Sequence, residues 1–188
     1  MKKYFFQSLR LTLVMLVLVC VIYPLVVAFV ARFSEGKGDG VAVFENGRKV
    51  GYANIGQMFT RQEYFWGRPS AVGYNAAGSA GSNKGPSNTD YLKEVNNRID
   101  TLLKYNPGLK RGDIPADMVT ASGSGLDPDI SVQAARIQIP RVARARNISP
   151  GQVEELVDQA TTSPFLNLFG PSRVNVLKLN IALDNLSK

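Results

Sequence analysis

Asp127 and Asp129 stand two residues apart at the end of a Gly/Ser run, Ala121-Ser122-Gly123-Ser124-Gly125-Leu126. A carboxylate pair could do general acid–base work or hold Mg²⁺ or Ca²⁺. The calcium-loop pattern is not met, because the glycine and the distal glutamate are missing at the required offsets. Capping of a helix by Asp129 or Ser131, reinforced by the helix dipole, accounts for the residues better. A second Gly-rich run, Gly73 to Asn88, contains Lys84, and such loops before helices can cradle phosphates. Here Lys84 is followed by Gly85-Pro86 rather than by Ser or Thr, and no strong apolar strand precedes the loop. The chain has no histidine, and its one cysteine, Cys20, lies in an apolar run. Ser-His-Asp and Cys-His catalysis and His/Cys zinc sites are therefore excluded. Carboxylate catalysis, with Asp127 and Glu63 as candidates, stays open.

The elements that must position these residues follow from pattern. Arg32 to Gly40 reads as a Gly- and charge-rich linker. Val41 to Phe44 and Arg48 to Ile55 flank Asn46-Gly47, a strong hairpin signal. Phe59 to Trp66 is dense in aromatics, expected in the core or on a surface that contacts a partner protein. Asp90 to Lys104 reads as a helix with Leu92, Val95, Ile99, Leu102 and Leu103 on one face, capped by Asn88 or Thr89. A helix from Ser131 to about Ala145 should kink at Pro140. Ser149-Pro150-Gly151-Gln152 opens another, with a capping box. Pro164 to Gly170 reads as a turn, and Val174 to Leu179 as a strand beside the hairpin. The expected fold class is α+β, a single domain over 41–188 with a small sheet and several helices.

Residues Leu11 to Ala31 carry no charge. At ~1.5 Å per residue this run spans roughly 31 Å as a helix, the thickness of a bilayer's hydrocarbon core. It is too long for an ordinary secretory signal and reads as a retained transmembrane anchor. Lys2, Lys3 and Arg10 precede it, whereas Arg32 and Lys37 on the far side are diluted by Glu35 and Asp39. The positive-inside rule then places residues 1–10 in the cytoplasm and the main domain outside the cell membrane. Formal net charge is +7, and without Lys2, Lys3 and Arg10 the excess is mild. The nearest approach to a basic stripe, Arg136, Arg141, Arg144 and Arg146, reads as the solvated face of a helix, so no nucleic-acid partner is expected.

Two loops and their surroundings carry a family resemblance. They are Tyr74-Asn75-Ala76 with Gly81-Ser82-Asn83-Lys84-Gly85-Pro86-Ser87-Asn88, and Val119-Thr120-Ala121-Ser122-Gly123-Ser124-Gly125-Leu126-Asp127 followed by Gln138-Ile139-Pro140-Arg141-Val142-Ala143-Arg144-Ala145-Arg146. Arg68-Pro69-Ser70-Ala71 and Leu179-Asn180-Ile181-Ala182-Leu183-Asp184 agree. With the leading apolar helix, these resemble the C subunit of the bacterial Kdp potassium-transporting P-type ATPase over essentially the whole chain. The resemblance implies a non-catalytic inner-membrane subunit. Its implied partners are a potassium-channel-like A subunit, an ATP-hydrolysing B subunit and a small F subunit. It also implies a role in assembly and coupling, and in raising the B subunit's affinity for ATP. Implied ATP-contacting positions are Ser122, Gly123, Ser124 and Gly125, with Gln133 or Gln138. No cofactor of the chain's own is implied. Coupling through a shared conformational equilibrium is a second route to ATP affinity, consistent with loops on the far side of the membrane from ATP. A membrane-anchored nucleotide-binding regulator and a carboxylate-dependent periplasmic enzyme are the alternatives.

Overall fold

The chain is described from a computed structural model covering residues 2–186, with side chains from Tyr4 onward. Met1, Ser187 and Lys188 lie outside the described residues, so the expected domain end at 188 does too. Contacts divide the chain into two units, one up to Ala42 and one from Val43.

The first unit is built on an apolar helix. α1 (Lys2–Val17) and α2 (Tyr23–Ala31) are joined by a π-helical turn, Leu18–Ile22. Pro24 explains the turn. It has no N–H, and its ring crowds the carbonyl four residues back. One widened turn upstream, where the Tyr23 N–H donates to the Leu18 carbonyl, accommodates both effects. Tyr4–Ala31 is long and apolar enough to cross a membrane, and none of its apolar window is buried.

In the second unit, β1 (Ala42–Glu45) and β2 (Arg48–Tyr52) form the expected hairpin as a separate two-stranded sheet. Asn46 and Gly47 both take positive φ at its turn, as a type I′ geometry requires. α3 (Thr89–Tyr105) is capped by Asn88, whose side chain accepts from the Tyr91 N–H at 2.9 Å. Ile99 and Leu102 are buried on its inner face, while Leu92 is exposed rather than facing the core.

The central sheet is antiparallel, in the order β3 (Asp129–Ser131), β5 (Arg173–Asn175), β4 (Thr161–Thr162). Val174 pairs with both Ile130 and Thr161. Around it pack α4 (Val132–Arg136), α5 (Ile139–Arg146), α6 (Pro150–Ala160) and α7 (Val176–Leu186). Ile130, Val142, Val153, Val157, Val174, Leu179 and Leu183 form the center of the core with Phe65.

Three expectations are corrected here. The single kinked helix after Ser131 is two helices. The chain breaks at Ile137-Gln138, and Pro140 sits in the first turn of α5, where a missing N–H is harmless. The strand expected over Val174 to Leu179 ends at Asn175 and pairs away from the hairpin. From Val176 the buried residues Val176, Leu177, Leu179, Asn180 and Leu183 follow helical spacing. Of the two expected cap candidates, Asp129 and Ser131, it is Ser131 that caps α4, accepting from the Ala134 N–H at 3.0 Å, as the sequence reading allows. The arginines of α5 are not one solvated face, because Arg141 is only 2% exposed. The capping box of α6 is present as expected, with Ser149 and Gln152 exchanging bonds.

Candidate functional site

Residues 59 to 74 cross the domain without helix or strand. Buried backbone groups on such a segment must find partners elsewhere. Side chains of Gln138, at the N-cap of α5, and of α5 and α7 supply them. Gln138, fully buried, accepts from the Trp66 N–H at 2.8 Å and donates to the Trp66 carbonyl at 3.2 Å. Asn180 does the same for Phe65, accepting at 2.8 Å and donating at 3.0 Å. Arg141 donates to the carbonyls of Gln62 and Tyr64 and, at 2.6 Å, to Gln138 Oε1. Its guanidinium lies 4.1 Å from the Trp66 ring centroid. Burial pushes the Arg141 pKa down to about 10, which still leaves it charged at neutral pH. Arg146 donates to the Glu63 carbonyl and pairs with Asp184 at 2.5 Å, and Asp184 accepts from the Tyr64 hydroxyl.

The second half of the segment is fastened by the two Gly/Ser loops. Arg68 pairs with Asp127 at 2.8 Å. The Tyr74 hydroxyl donates to the Arg68 carbonyl. Ser70 Oγ donates to the Gly125 carbonyl at 2.6 Å, and the Ser122 N–H to the Pro69 carbonyl at 3.0 Å. Ser79 Oγ donates to the Ser124 carbonyl at 2.9 Å. Gly125 holds φ +67°, and a Cβ there would stand 2.8 Å from the Ala80 carbonyl oxygen, so glycine is required for the loops to meet. Burial pushes the Tyr74 phenol pKa up, with the Asp127 charge adding to the shift.

Fixed in this way, the segment lines a groove of about 760 Å³. Met58, Phe59, Trp66 and Tyr105 contribute its apolar surface, with Arg61 and Arg98 among the polar lining residues. Trp66 and Tyr105 meet edge to face at 5.6 Å.

The residues singled out for nucleotide contact are distributed as follows. Ser122 to Gly125 lie against residues 69–81, with Ser122 buried. Ser124 Oγ accepts from the Leu126 N–H at 3.1 Å. Gln138 is remote from that loop in its bonding. Its amide is engaged by Trp66, Ala134 and Arg141. Gln133 is exposed and donates to the Asp113 carbonyl at 3.0 Å. Among the described residues, no hydrogen bond joins either glutamine to the Ser122–Gly125 loop. Asp127 and Asp129 are separately engaged, by Arg68 and by Arg173 at 3.1 Å respectively. Sequence reasoning left the roles of Arg68, Asn180 and Asp184 unassigned and placed Arg141 on a solvated face, whereas it is buried. The available signal was a polar residue on an otherwise apolar helical face, as with Asn180 between Leu179 and Leu183.

A family profile described as KdpC, the c chain of K⁺-transporting ATPase, matches residues 5–185. The chain is 54% identical over 184 residues to the potassium-transporting ATPase KdpC subunit of Flavobacterium johnsoniae, covering 98% of this chain and 99% of that one. It is 54% identical over 185 residues to the subunit of that name from Phocaeicola vulgatus, covering 97% and 98%. The counterpart from Caldanaerobacter subterraneus subsp. tengcongensis is 46% identical over 180 residues, covering 94% and 92%.

Proposed function

The chain belongs to the KdpC family of K⁺-transporting ATPase c chains, and from that premise we propose that it is a non-catalytic subunit of an ATP-driven, high-affinity potassium uptake complex. In this reading the apolar helix anchors it in the bacterial inner membrane. The N-terminus is cytoplasmic and the main domain extracytoplasmic. Its partners are the channel-like A subunit, the ATP-hydrolysing B subunit and the small F subunit. The domain has no active site of its own and acts through contact.

The observation that carries this reading is the groove beside the fastened aromatic segment. Trp, Tyr and Arg are the side chains that most often anchor protein interfaces. Here Trp66, Tyr105 and Arg61 line one concavity, with Trp66 held in place by the buried side chains of Gln138 and Arg141. The Gly/Ser loops and Gln138 then serve as fasteners of that surface rather than as nucleotide ligands. An effect on the B subunit's ATP affinity arises through conformational coupling, since both sites need only bias one equilibrium.

The test is complementation of a strain lacking this chain. Uptake at low external potassium should fail without it and return with the native chain. Met58→Asp, at an exposed position in the groove, should leave the domain folded and lower uptake. Normal high-affinity uptake in the deletion strain removes the proposal. Saturable ATP binding to the purified chain, abolished by Ser124→Ala, favors the nucleotide-binding regulator instead.

A further inference from the structure

Between α6 and β5 the chain forms a turn that does the opposite of core packing. Phe165, Leu166, Leu168 and Phe169 are each 65–78% exposed. The turn is closed on itself, with Phe165 and Phe169 exchanging N–H to carbonyl bonds at 3.0 Å in both directions. Leu166 and Asn167 are held at φ +54° and +56°. That region is unfavorable for a leucine, so the backbone spends conformational energy presenting it. From Gln159 to Ser172 there is no charged residue. The other large exposed apolar side chains of this unit, such as Phe44 and Leu92, stand apart in sequence.

We propose that the Phe165–Phe169 turn is a membrane contact, inserting its apolar side chains into the lipid surface of the bilayer that anchors the chain. Clustered apolar exposure of this kind marks protein or membrane interaction sites. Composition separates the two. Protein interface anchors favor Trp, Tyr and Arg, and leucine is under-represented among them. The turn has only Phe and Leu with one Asn and no charge, which suits a deformable apolar phase. The tether supplies the second argument. A domain joined to a membrane helix meets lipid at a high effective concentration, so even a small tip can bind. The turn thus restrains how the domain stands over the bilayer.

The experiment uses the full chain with Cys20→Ser and Leu168→Cys, labeled with an environment-sensitive fluorophore. It is reconstituted in vesicles of phosphatidylethanolamine and phosphatidylglycerol. The same label at Lys178→Cys, an exposed site on α7, is the comparison. Nitroxide lipids labeled near the headgroup should quench position 168 severalfold more than position 178, and aqueous iodide should do the reverse. Changing Phe165 or Phe169 to Ser should shift the inserted population toward water by about tenfold for each side chain removed. Equal access of iodide to both positions, with no lipid quenching at 168, overturns the proposal. So does protection of position 168 that needs the other subunits and occurs without lipid quenching, which assigns the turn to a protein pocket.

Discussion

Gln138 shows how one side chain can decide the state of a whole surface. Its amide is buried and meets the Trp66 backbone from both sides, while its oxygen also receives Arg141. Gln138→Leu keeps the volume and removes every bond, leaving the Trp66 N–H and a buried guanidinium group short of partners. The expected cost is about 3 kcal/mol of domain stability, from several unsatisfied buried groups. Denaturant unfolding of the full chain in detergent, followed by the fluorescence of its single tryptophan, Trp66, measures it. A loss within experimental error would show that the amide is free for other work. Tyr74 gives a second test at this scale. Burial, aided by Asp127, holds its phenol protonated above the ordinary range near 10.0. Above that range the unfolded state loses the proton first, so this group's contribution favors unfolding as pH rises. Ultraviolet titration should show a phenol ionizing late, and Tyr74→Phe should remove that phase selectively.

Elements differ in how far they can be read from the sequence. The hairpin was legible because Asn46-Gly47 fixes its turn locally, and α6 was legible because its capping box lies within four residues. The Val176 to Leu179 stretch was misread because four residues of alternation fit either period. The α-helical face appears only when Asn180 and Leu183 are included, and Asn175 Oδ1 accepting from the Lys178 N–H starts that helix. The fastening of residues 62–66 was not legible at all. Gln138 and Asn180 meet it across 72 and 115 residues of chain, and such pairings leave no local pattern. Position 140 tests the element reading. A proline inside a helix costs ~3 kcal/mol, whereas one in the first turn is nearly neutral. Pro140→Ala should therefore change stability by less than about 1 kcal/mol. A gain near 3 kcal/mol, read from the same unfolding curves, would restore the single kinked helix.

At the scale of the whole molecule, the proposed function rests on which side of the membrane the domain occupies. Lys2, Lys3 and Arg10 precede the uncharged run Leu11 to Ala31, and this charge bias sets the expected orientation. A reporter fused after the C-terminus, active only outside the cytoplasm, should be active. In that orientation the Ser122–Gly125 loop cannot meet cytoplasmic ATP, so its substitution should act only through the packing it makes with residues 69–81. Gly125→Val is the informative variant, because it forces apart loops that meet at Ala80 and Ser70. It should destabilize the domain and lower potassium uptake. A milder change that leaves the loops packed, Ser124→Ala, should leave the ATPase activity and apparent ATP affinity of the assembled complex close to native. Coupling of this kind is reciprocal in binding free energy. If the chain raises ATP affinity without touching it, ATP must raise the complex's affinity for the chain by the same factor. The equilibrium dissociation constant of labeled chain from reconstituted complex, measured with and without ATP, should therefore fall by a factor matching the shift in ATP affinity. An unchanged dissociation equilibrium would leave the chain's part in the pump one of assembly alone.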